Sequence, residues 1–336
     1  MDKVGKIQRG VAYQLGATSA HRTGRVGAPL NPIGHYGGLV DVGGGRALAL
    51  HTDGVGSKVL VAQAMKKFDT IGIDCVAVTV NDLICLGSEP ISLVDYIALE
   101  RENEELVVEL GKGLVEGARR ASVAIVGGET AILKDVVKGI GGNGFDLVSM
   151  GVGLVKKTEV VDGRAIESGD VVVGVASSGL HSNGFTLARR VLKRRPIDQY
   201  VPELGSSLGE ALLAPTNIYV KPTLEALKAA EIHGIGHITG GSFSKLTRLA
   251  GGRKLLFDLR LPPAPPIFRV LQMEGGLTED EMYRTFNMGI GLCLCLPERD
   301  EGKVIRRFER AGFRAFNVGR VAEGRGVRVN GVKLTR

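Results

Sequence analysis

One long apolar stretch constrains the fold of this chain more than any other feature. Residues 71–87 read I-G-I-D-C-V-A-V-T-V-N-D-L-I-C-L-G, which is too long for a single β-strand. Gly87 and Pro90 are residues that end a helix. The stretch therefore predicts a buried helix, and its polar residues Asp74, Asn81 and Asp82 need polar partners, because an unpaired buried charge is costly.

Strand-like and helix-like segments alternate around this helix. The first cycle has strands at 47–50, 91–99, 121–126 and 145–155 and helices at 58–68 and 102–120. A second cycle follows E-S-G-D (167–170), with strands at 171–176, 232–238, 254–259 and 288–296, helices at 183–194, 217–230, 242–250, 265–287 and 299–311, and two short C-terminal strands. This pattern predicts an α/β (α+β) protein of two domains, each a mixed β-sheet flanked by helices, with the boundary near residue 165.

The N-terminal residues 1–45 are polar and rich in glycine, and they are predicted to be irregular. They contain no apolar core of a signal peptide, and no segment of the chain resembles a membrane span. The cysteines at 75, 85, 293 and 295 form no C-x-x-C pair and are predicted to be buried, reduced side chains. Together these features predict a cytoplasmic protein.

The net charge of +7 is compatible with an anionic partner. Nucleic acid is an unfavourable choice, because aromatic residues are only 5% of the chain, tryptophan is absent and no RNA-binding or zinc-finger pattern occurs. Attraction of phosphorylated small molecules accounts for the charge more simply.

The string H-T-D-G-V-G-S-K (51–58) follows the first strand and combines glycines with a lysine. It does not match the Walker pattern, because Ser57 precedes Lys58 and His51 stands where the first glycine is required. Asp53 at a strand end is instead typical of a magnesium ligand, since Mg²⁺ is commonly bound by one or two carboxylates together with substrate phosphates.

Further polar groups occur in similar contexts. Asn81 and Asp82 interrupt the buried helix, and Glu129 follows paired glycines in V-G-G-E-T. Together with Asp53 they predict a metal site, because buried charges are paired or coordinate metals. The alternative is a set of capped or salt-bridged side chains.

Three more glycine-containing junctions are candidates for binding. The string S-S-G-L-H-S-N-G (177–184) joins a strand to a helix and predicts an anion site, although Ser182 or Asn183 is also a common helix cap. In M-Y-R-T-F-N-M-G-I-G (282–291), Arg284 and Asn287 are predicted to lie one turn apart on a helix, where Arg284 binds phosphate or pairs with Glu279 or Glu281. The turn T-G-G-S-F (239–243) is a weaker signal of the same kind.

These strings, with V-N-D-L, L-L-A-P-T-N-I-Y-V-K and H-I-T-G-G-S-F, occur in an order that closely resembles the phosphoribosylformylglycinamidine cyclo-ligase (aminoimidazole ribonucleotide synthetase) family of purine biosynthesis. The resemblance extends from about residue 46 to residue 320. It implies a ring closure that depends on ATP and Mg²⁺, in which a phosphoryl group from ATP activates the formyl amide oxygen of formylglycinamidine ribonucleotide. It also implies homodimers joined through the sheets of their N-terminal domains.

The resemblance implies a role for each motif residue. Residues 1–165 would bind ATP and metal and form the dimer, with residues 1–45 as a flexible lid, and residues 166–336 would add substrate and nucleotide contacts. The implied metal ligands are Asp53, Asn81, Asp82 and Glu129, and the implied nucleotide-binding residues are Lys58, Arg284, Asn287, Gly54 and Gly56. The implied substrate-binding residues are Ser178, Gly179, His181, Ser182, Asn183, Gly240 and Gly241, and the catalytic candidates are Asp53, His51 and His181.

Several alternatives remain open at this point. The chain lacks the lysine usual in the family's N-terminal lid, and Arg22, Arg25 or His21 are its candidate replacements. His51 and His181 are equal candidates for the general base. Another ATP-using member of the same superfamily, or a catalytically silent nucleotide-binding protein, is the alternative function.

Overall fold

The structure, a computed structural model, describes residues 3–334, of which 3–6, 8 and 9 are described by their backbone alone. The helices are α1 (Lys3–Gly16), α2 (Val59–Met65), α3 (Ile71–Ile84), α4 (Glu104–Ala121), α5 (Phe185–Val191), α6 (Leu208–Leu213), α7 (Val220–Ala229), α8 (Thr247–Ala250), α9 (Pro266–Gly275), α10 (Glu279–Thr285) and α11 (Glu301–Arg310). None of the described helices is both long enough and apolar enough to cross a membrane.

The strands of the first half are β1 (Gly38–Gly43), β2 (Arg46–Gly54), β3 (Glu89–Leu99), β4 (Ala124–Ile132) and β5 (Phe145–Lys156). The second half contains β6 (Val171–Ala176), β7 (Tyr200–Val201), β8 (Ser206–Ser207), β9 (Gly234–His237), β10 (Leu255–Leu259), β11 (Ile290–Leu296), β12 (Ala315–Glu323), β13 (Gly326–Val329) and β14 (Val332–Leu334).

Each half of the chain builds one large mixed sheet. The first sheet has the order β1-β2-β5-β3-β4, in which β3 and β4 are parallel and the other pairs are antiparallel. The second sheet has the order β14-β13-β10-β12-β6-β11-β9, and β10 and β13 are its parallel pair. The predicted fold class of two mixed sheets flanked by helices is confirmed.

The predicted buried helix is α3, and every one of its residues is buried. It covers the inner face of the first sheet, where Ser149 of β5 donates a hydrogen bond to the carbonyl of Cys75 at 3.0 Å. Helix α4 packs closely on α3. A Cβ atom at Gly72 would lie only 2.2 Å from the backbone nitrogen of Leu114, so the contact depends on glycine. A helix that is apolar on all sides needs such cover from every direction.

The prediction that residues 1–45 are irregular is wrong in two places. Helix α1 spans Lys3–Gly16, and apolar residues at 4, 7, 11 and 15 follow the helical period, which two internal glycines made difficult to detect. Strand β1 pairs with β2 through a turn of Gly43, Gly44 and Gly45. All three have positive φ angles of 81°, 57° and 73°, which glycine adopts without strain.

The second half differs from prediction mainly in its short elements. The polar connector predicted after residue 194 contains α6, whose start is closed by reciprocal hydrogen bonds between Ser207 and Glu210. The helix predicted over 265–287 is divided into α9 and α10. Three C-terminal strands follow α11 where two were predicted. The cysteines are free and buried, as predicted.

Candidate active site

The H-T-D-G-V-G-S-K string forms the end of β2 and a short 3-10 turn over Gly56–Lys58. Gly56 has a φ angle of 67°, a left-handed conformation that favours glycine. Asp53 is half-buried at the strand end, and among the described residues only the amide of Gly54 donates a hydrogen bond to it, at 2.9 Å. A carboxylate with an oxygen left open at a strand end is able to bind a cation.

The register of the first sheet separates Asp53 from Glu129. Asp53 and Asp95 both pair with Ser149, so these three residues lie in one row on the inner face. Gly128 continues the row, and Glu129 is the next residue, so its exposed side chain lies on the other face. Within one chain, the register does not bring the predicted ligands Asp53 and Glu129 together.

Asp82 lies between two histidines at the junction of the two halves. Its Oδ1 is 2.6 Å from Nδ1 of His237 on β9, and its Oδ2 is 3.4 Å from Nε2 of His51 on β2. Burial opposes ionisation of Asp82, but the hydrogen bond and charge of His237, with His51 and Lys245 nearby, lower its pKa to about 2. Asp82 is therefore a carboxylate held by histidines.

Asn81 also has protein partners on the other half of the chain. Its Nδ2 donates to the carbonyl of Asn217 at 2.8 Å, and its Oδ1 accepts from the amide of Tyr219 at 3.0 Å. In the part of the chain that the structure describes, no group of three or more His, Cys, Asp or Glu side chains is arranged to hold a metal ion. The proposed metal set of Asp53, Asn81, Asp82 and Glu129 stays a prediction.

Lys58 is fully buried and contacts protein groups in place of the predicted nucleotide. Its Nζ lies 2.7 Å from Oδ2 of Asp74 and donates to the carbonyl of Ala214 at 2.8 Å. Burial lowers the pKa of Lys58, and the charge of Asp74 offsets part of that effect. The nucleotide role of Lys58 stays a prediction, which these contacts do not support.

The S-S-G-L-H-S-N-G loop is held by its own histidine and by the chain around residue 215. His181 is 1% exposed and has a φ angle of 59°, and its Nε2 accepts a hydrogen bond from the amide of Ser178 at 3.3 Å. Burial, with His237 and Lys58 nearby, keeps the pKa of His181 well below its usual value. A neutral, buried imidazole supports the loop, and its catalytic and substrate-binding roles stay predictions.

Asn287 fixes the start of the same loop. Its Nδ2 donates to the carbonyl of Gly179 at 2.9 Å, and its Oδ1 accepts from Ser177 at 3.1 Å. The prediction that Arg284 and Asn287 share a helix is wrong, because α10 ends at Thr285. Arg284 pairs with Asp280 at 2.6 Å, one turn earlier on α10.

The T-G-G-S turn lies opposite this loop, because a side chain at Gly240 would be 3.2 Å from Oδ1 of Asn183. Gly241 has a φ angle of 84°, a conformation that favours glycine. Lys245 follows the turn, and its Nζ contacts Oγ1 of Thr239. Burial lowers the pKa of Lys245, while the charges of Asp82 and Asp53 act against that shift. Sequence reasoning identified the turn but missed His237, the first residue of H-I-T-G-G-S-F, and Lys245, which lies two residues after that string.

A pocket of about 340 Å³ lies between the two halves of the chain. It is lined by Ser57 of the first half and by Ser182, Asn183, Gly184, Phe185, Thr186, Leu187, Arg190 and Thr285 of the second. A larger pocket of about 460 Å³ is lined by Asp258, Arg260, Arg328, Asn330 and Gly331. The larger pocket contains none of the predicted residues, so the smaller one is the better candidate for a substrate.

Comparison with protein families and curated proteins gives matches over nearly the whole chain. The AIR synthase related protein, N-terminal domain, matches residues 34–155, and the corresponding C-terminal domain matches residues 167–332. A phosphoribosylformylglycinamidine cyclo-ligase of Thermococcus kodakarensis is 43% identical and covers 99% of this chain and 97% of its own. Another, of Pyrococcus furiosus, is 45% identical and covers 99% and 96%.

Solved structures share the fold at lower identity. The tt0281 protein of Thermus thermophilus has a TM-score of 0.68, 23% identity and 98% coverage of both chains. Thiamine-monophosphate kinase of Stenotrophomonas maltophilia has a TM-score of 0.65, 21% identity and coverage of 95% and 96%. A hydrogenase maturation protein, HypE, in complex with ATP has a TM-score of 0.61, 20% identity and coverage of 82% of this chain and 77% of its own.

Proposed function

The chain belongs to the AIR synthase related protein family, and on that premise we propose that it is a phosphoribosylformylglycinamidine cyclo-ligase. It converts formylglycinamidine ribonucleotide and ATP into aminoimidazole ribonucleotide, ADP and phosphate. The observation that carries this proposal is that cyclo-ligases of two organisms align with 99% of the chain at 43% and 45% identity. The solved complex of a structural neighbour with ATP supports ATP as the phosphoryl donor.

The reaction requires activation of an oxygen that is otherwise a poor leaving group. The formyl amide oxygen attacks the γ-phosphorus of ATP, and ADP leaves. The amidine-side nitrogen then attacks the activated carbon, phosphate departs with the oxygen, and the imidazole ring closes with loss of a proton. Phosphoryl transfer depends mainly on positioning and on neutralisation of charge, so an enzyme for this reaction needs cations and fixed donors at the triphosphate.

The residues present fit Mg²⁺ bound in part by the substrate. A cage made only of protein ligands is not required, because Mg²⁺ is commonly held by one or two carboxylates plus phosphate oxygens. Asp53 offers a half-buried carboxylate with one oxygen bonded only to an adjacent amide. Bound there, Mg²⁺ would neutralise charge that develops on the phosphates. Asn81, Asp82 and Glu129 remain proposed members of the metal set.

Lys245 is the cation that best replaces Lys58 in the proposed nucleotide site. It follows the T-G-G-S turn, and its ammonium lies in the field of the Asp53 and Asp82 carboxylates. The described residues place no carboxylate within 4 Å of its Nζ, which leaves the ammonium available to a phosphate. Gly54, Gly56, Arg284 and Asn287 remain proposed nucleotide-binding residues.

We place the ribonucleotide substrate in the pocket between the two halves. Ser182 and Asn183 line it, and Ser57 of the first half closes it. Gly240 and Gly241 approach Asn183 from the opposite turn, where a side chain at Gly240 would crowd Oδ1 of Asn183 at 3.2 Å. Ser178, Gly179 and His181 complete the proposed substrate-binding loop.

The outer face of the first sheet supports a homodimer as the working assembly. It exposes apolar side chains that are 36–67% accessible, namely Val42, Ile91, Val94, Tyr96, Val126 and Met150. Several exposed apolar side chains on one sheet favour an interaction surface there. We propose that two copies pair through this face.

The proposed domain division and location follow from other observations. Strands β1–β5 lie within residues 38–156 and the second sheet begins at residue 171, which supports domains at 1–165 and 166–336. The lid over residues 1–45 remains a proposal, and its last segment, β1, is paired with β2 in the first sheet. Four free, buried cysteines support a reducing compartment and therefore a cytoplasmic enzyme.

Incubation of the purified protein with ATP, Mg²⁺ and formylglycinamidine ribonucleotide tests the proposal. ADP and aminoimidazole ribonucleotide are expected in equal amounts. ATP consumption without the aminoimidazole product would indicate another ATP-using enzyme. No consumption of ATP, with ATP binding retained, would indicate a catalytically silent nucleotide-binding protein.

A further inference from the structure

Three distant segments of the chain meet at a buried charged pair. Lys58 ends the 3-10 turn after β2, and its Nζ lies 2.7 Å from Oδ2 of Asp74 on α3. Oδ1 of Asp74 accepts hydrogen bonds from the amide and hydroxyl of Thr216, at 2.8 and 2.6 Å. Lys58 also donates to the carbonyl of Ala214 at 2.8 Å. The exposed fractions of Lys58, Asp74 and Thr216 are 0%, 0% and 1%.

The same connector carries the substrate-side loop. Oγ1 of Thr216 lies 3.1 Å from Oγ of Ser182, and Ser178 donates to the carbonyl of Pro215 at 2.5 Å. The connector of residues 214–216 therefore contacts the Lys58–Asp74 pair on one side and the loop at two points on the other. An unbroken set of polar contacts runs from the turn after Asp53 to the loop 177–184.

We propose that Lys58, Asp74 and Thr216 form a positioning lock, which fixes the substrate-side loop 177–184 relative to the strand end that carries Asp53. All three side chains are buried away from the surface, so the proposal gives them a positioning role and no contact with the substrate. The lock acts through Ser178 and Ser182 on one side and through the turn Gly56–Lys58 on the other. This inference rests on the proposed function, because it concerns how that reaction is aligned.

The chemistry of the contacts favours positioning over simple stabilisation. A buried ion pair loses the solvation of both charges and often adds little to stability compared with apolar side chains of similar size. It does require one arrangement of its partners, because every donor and acceptor must be satisfied in a medium of low polarity. A shift of about 1 Å at reacting groups changes a rate by up to about 100-fold, so such a contact is well suited to set a reaction geometry.

The variants Thr216→Val and Thr216→Ser test the lock. Valine keeps the size of threonine but removes the hydroxyl that joins Asp74 to Ser182, whereas serine retains it. We expect Thr216→Val to lower kcat by about 10- to 100-fold with a smaller change in KM for ATP. ADP should exceed the aminoimidazole product, because water then accepts the γ-phosphoryl group in place of the amide oxygen. Thr216→Ser should restore kcat and equal product amounts.

The double variant Lys58→Met/Asp74→Leu removes both charges at once. A single substitution at Asp74 leaves Lys58 charged and buried and is expected to impair folding, whereas replacement of both charges by apolar groups is often tolerated. A folded double variant with reduced kcat and excess ADP supports the lock. The exposed pair Lys112–Glu109 on α4 is the matched control, and Lys112→Met/Glu109→Leu should change neither quantity.

Two outcomes would overturn the lock. One is a folded Thr216→Val enzyme with wild-type kcat and equal amounts of ADP and aminoimidazole product. The other comes from hydrogen exchange. The lock predicts that the amides of 177–184 exchange faster in Thr216→Val than in wild type, while those of α4 stay unchanged. Exchange of 177–184 at the wild-type rate would contradict the lock. The exchange measurement applies even to a wild-type protein without cyclo-ligase activity, so failure of the proposed function is a separate result.

Discussion

The acids at the end of β2 and those within α3 have similar sequence contexts but different surroundings in the structure. Asp53 on β2 is half-buried and receives one hydrogen bond from the described residues, donated by the neighbouring amide of Gly54. Asp74 and Asp82 on α3 are buried and paired with Lys58 and His237 respectively. An apolar helix requires such partners for its charges, whereas a strand end at a cleft leaves a carboxylate open to a ligand. The difference separates carboxylates that already have charged or histidine partners in the protein from one that is open to a ligand.

Removal of one charge from the buried Lys58–Asp74 pair should lower the free energy of unfolding more than the other substitutions below. Asp74→Leu leaves Lys58 buried without its counter-ion, which costs about 3–5 kcal/mol of the free energy of unfolding. The double variant Lys58→Met/Asp74→Leu should recover most of this loss. Urea denaturation monitored by circular dichroism measures both. A single variant as stable as wild type would show that Asp74 is not needed to hold the buried charge.

Substitution of Asp53, the open carboxylate, should instead lower activity and leave the stability of the fold nearly unchanged. Asp53→Asn should lower kcat by about 10²–10³-fold, since one group that helps to neutralise transition-state charge is lost. The thermal melting temperature should remain close to that of wild type, because no distant residue among those described depends on Asp53. The substitution Asp146→Asn on β5 is the matched control, because Asp146 likewise accepts a hydrogen bond from its neighbouring amide, at 3.0 Å. Asp146 is not one of the predicted site residues, so this variant should keep full activity. Full activity of Asp53→Asn would remove Asp53 from the metal site.

The Asp82–His237 pair should give a smaller effect that depends on pH. The folded pKa of Asp82 is about 2, below the unfolded value of about 3.9. Its contribution to stability is therefore present above about pH 4 and is lost as pH falls toward 2. Asp82→Asn should reduce the free energy of unfolding by about 1.5–3 kcal/mol near pH 6. This difference should narrow between pH 4 and pH 2 in urea titrations, and a constant difference would contradict the assignment.

A second carboxylate–histidine pair, remote from the site, should have the smallest effect. Its contribution to stability is lost as pH rises, whereas that of Asp82 is lost as pH falls. Nδ1 of His233 lies 2.7 Å from Oδ2 of Asp170. Burial alone lowers the pKa of His233, but the hydrogen bonds and charges of Asp170 and Glu231 outweigh it and raise the pKa. The stabilisation is thus full below the unfolded pKa of about 6.5 and is lost as pH rises through the folded pKa. His233→Gln should be less stable than wild type at pH 5.5 and should approach it at pH 9 without a change in kcat. A difference that persists undiminished at pH 9 would contradict this account.

Local patterns predicted the larger elements because their causes are local. The length and largely apolar character of 71–87 determined that α3 is buried, and the helix ends at Ile84, close to the predicted end. The short α6 and the glycine-containing α1 were missed, because propensity and periodicity are weak in such segments. The site was predicted only in part. Its strings were identified, but His237 and Lys245 were missed, since neither residue type indicates a role without its neighbours.

The sequence by itself determined that α3 and the cysteines are buried, where most strands and helices alternate and which family the motifs resemble. These properties depend on residues within a few positions of one another. The tertiary structure alone decided which carboxylate is paired and which is open. Asp74 meets Thr216 across 142 positions, and Asp82 meets His237 across 155. A buried charge requires a partner for physical reasons that the sequence reveals, but the identity of the partner depends on how distant segments pack.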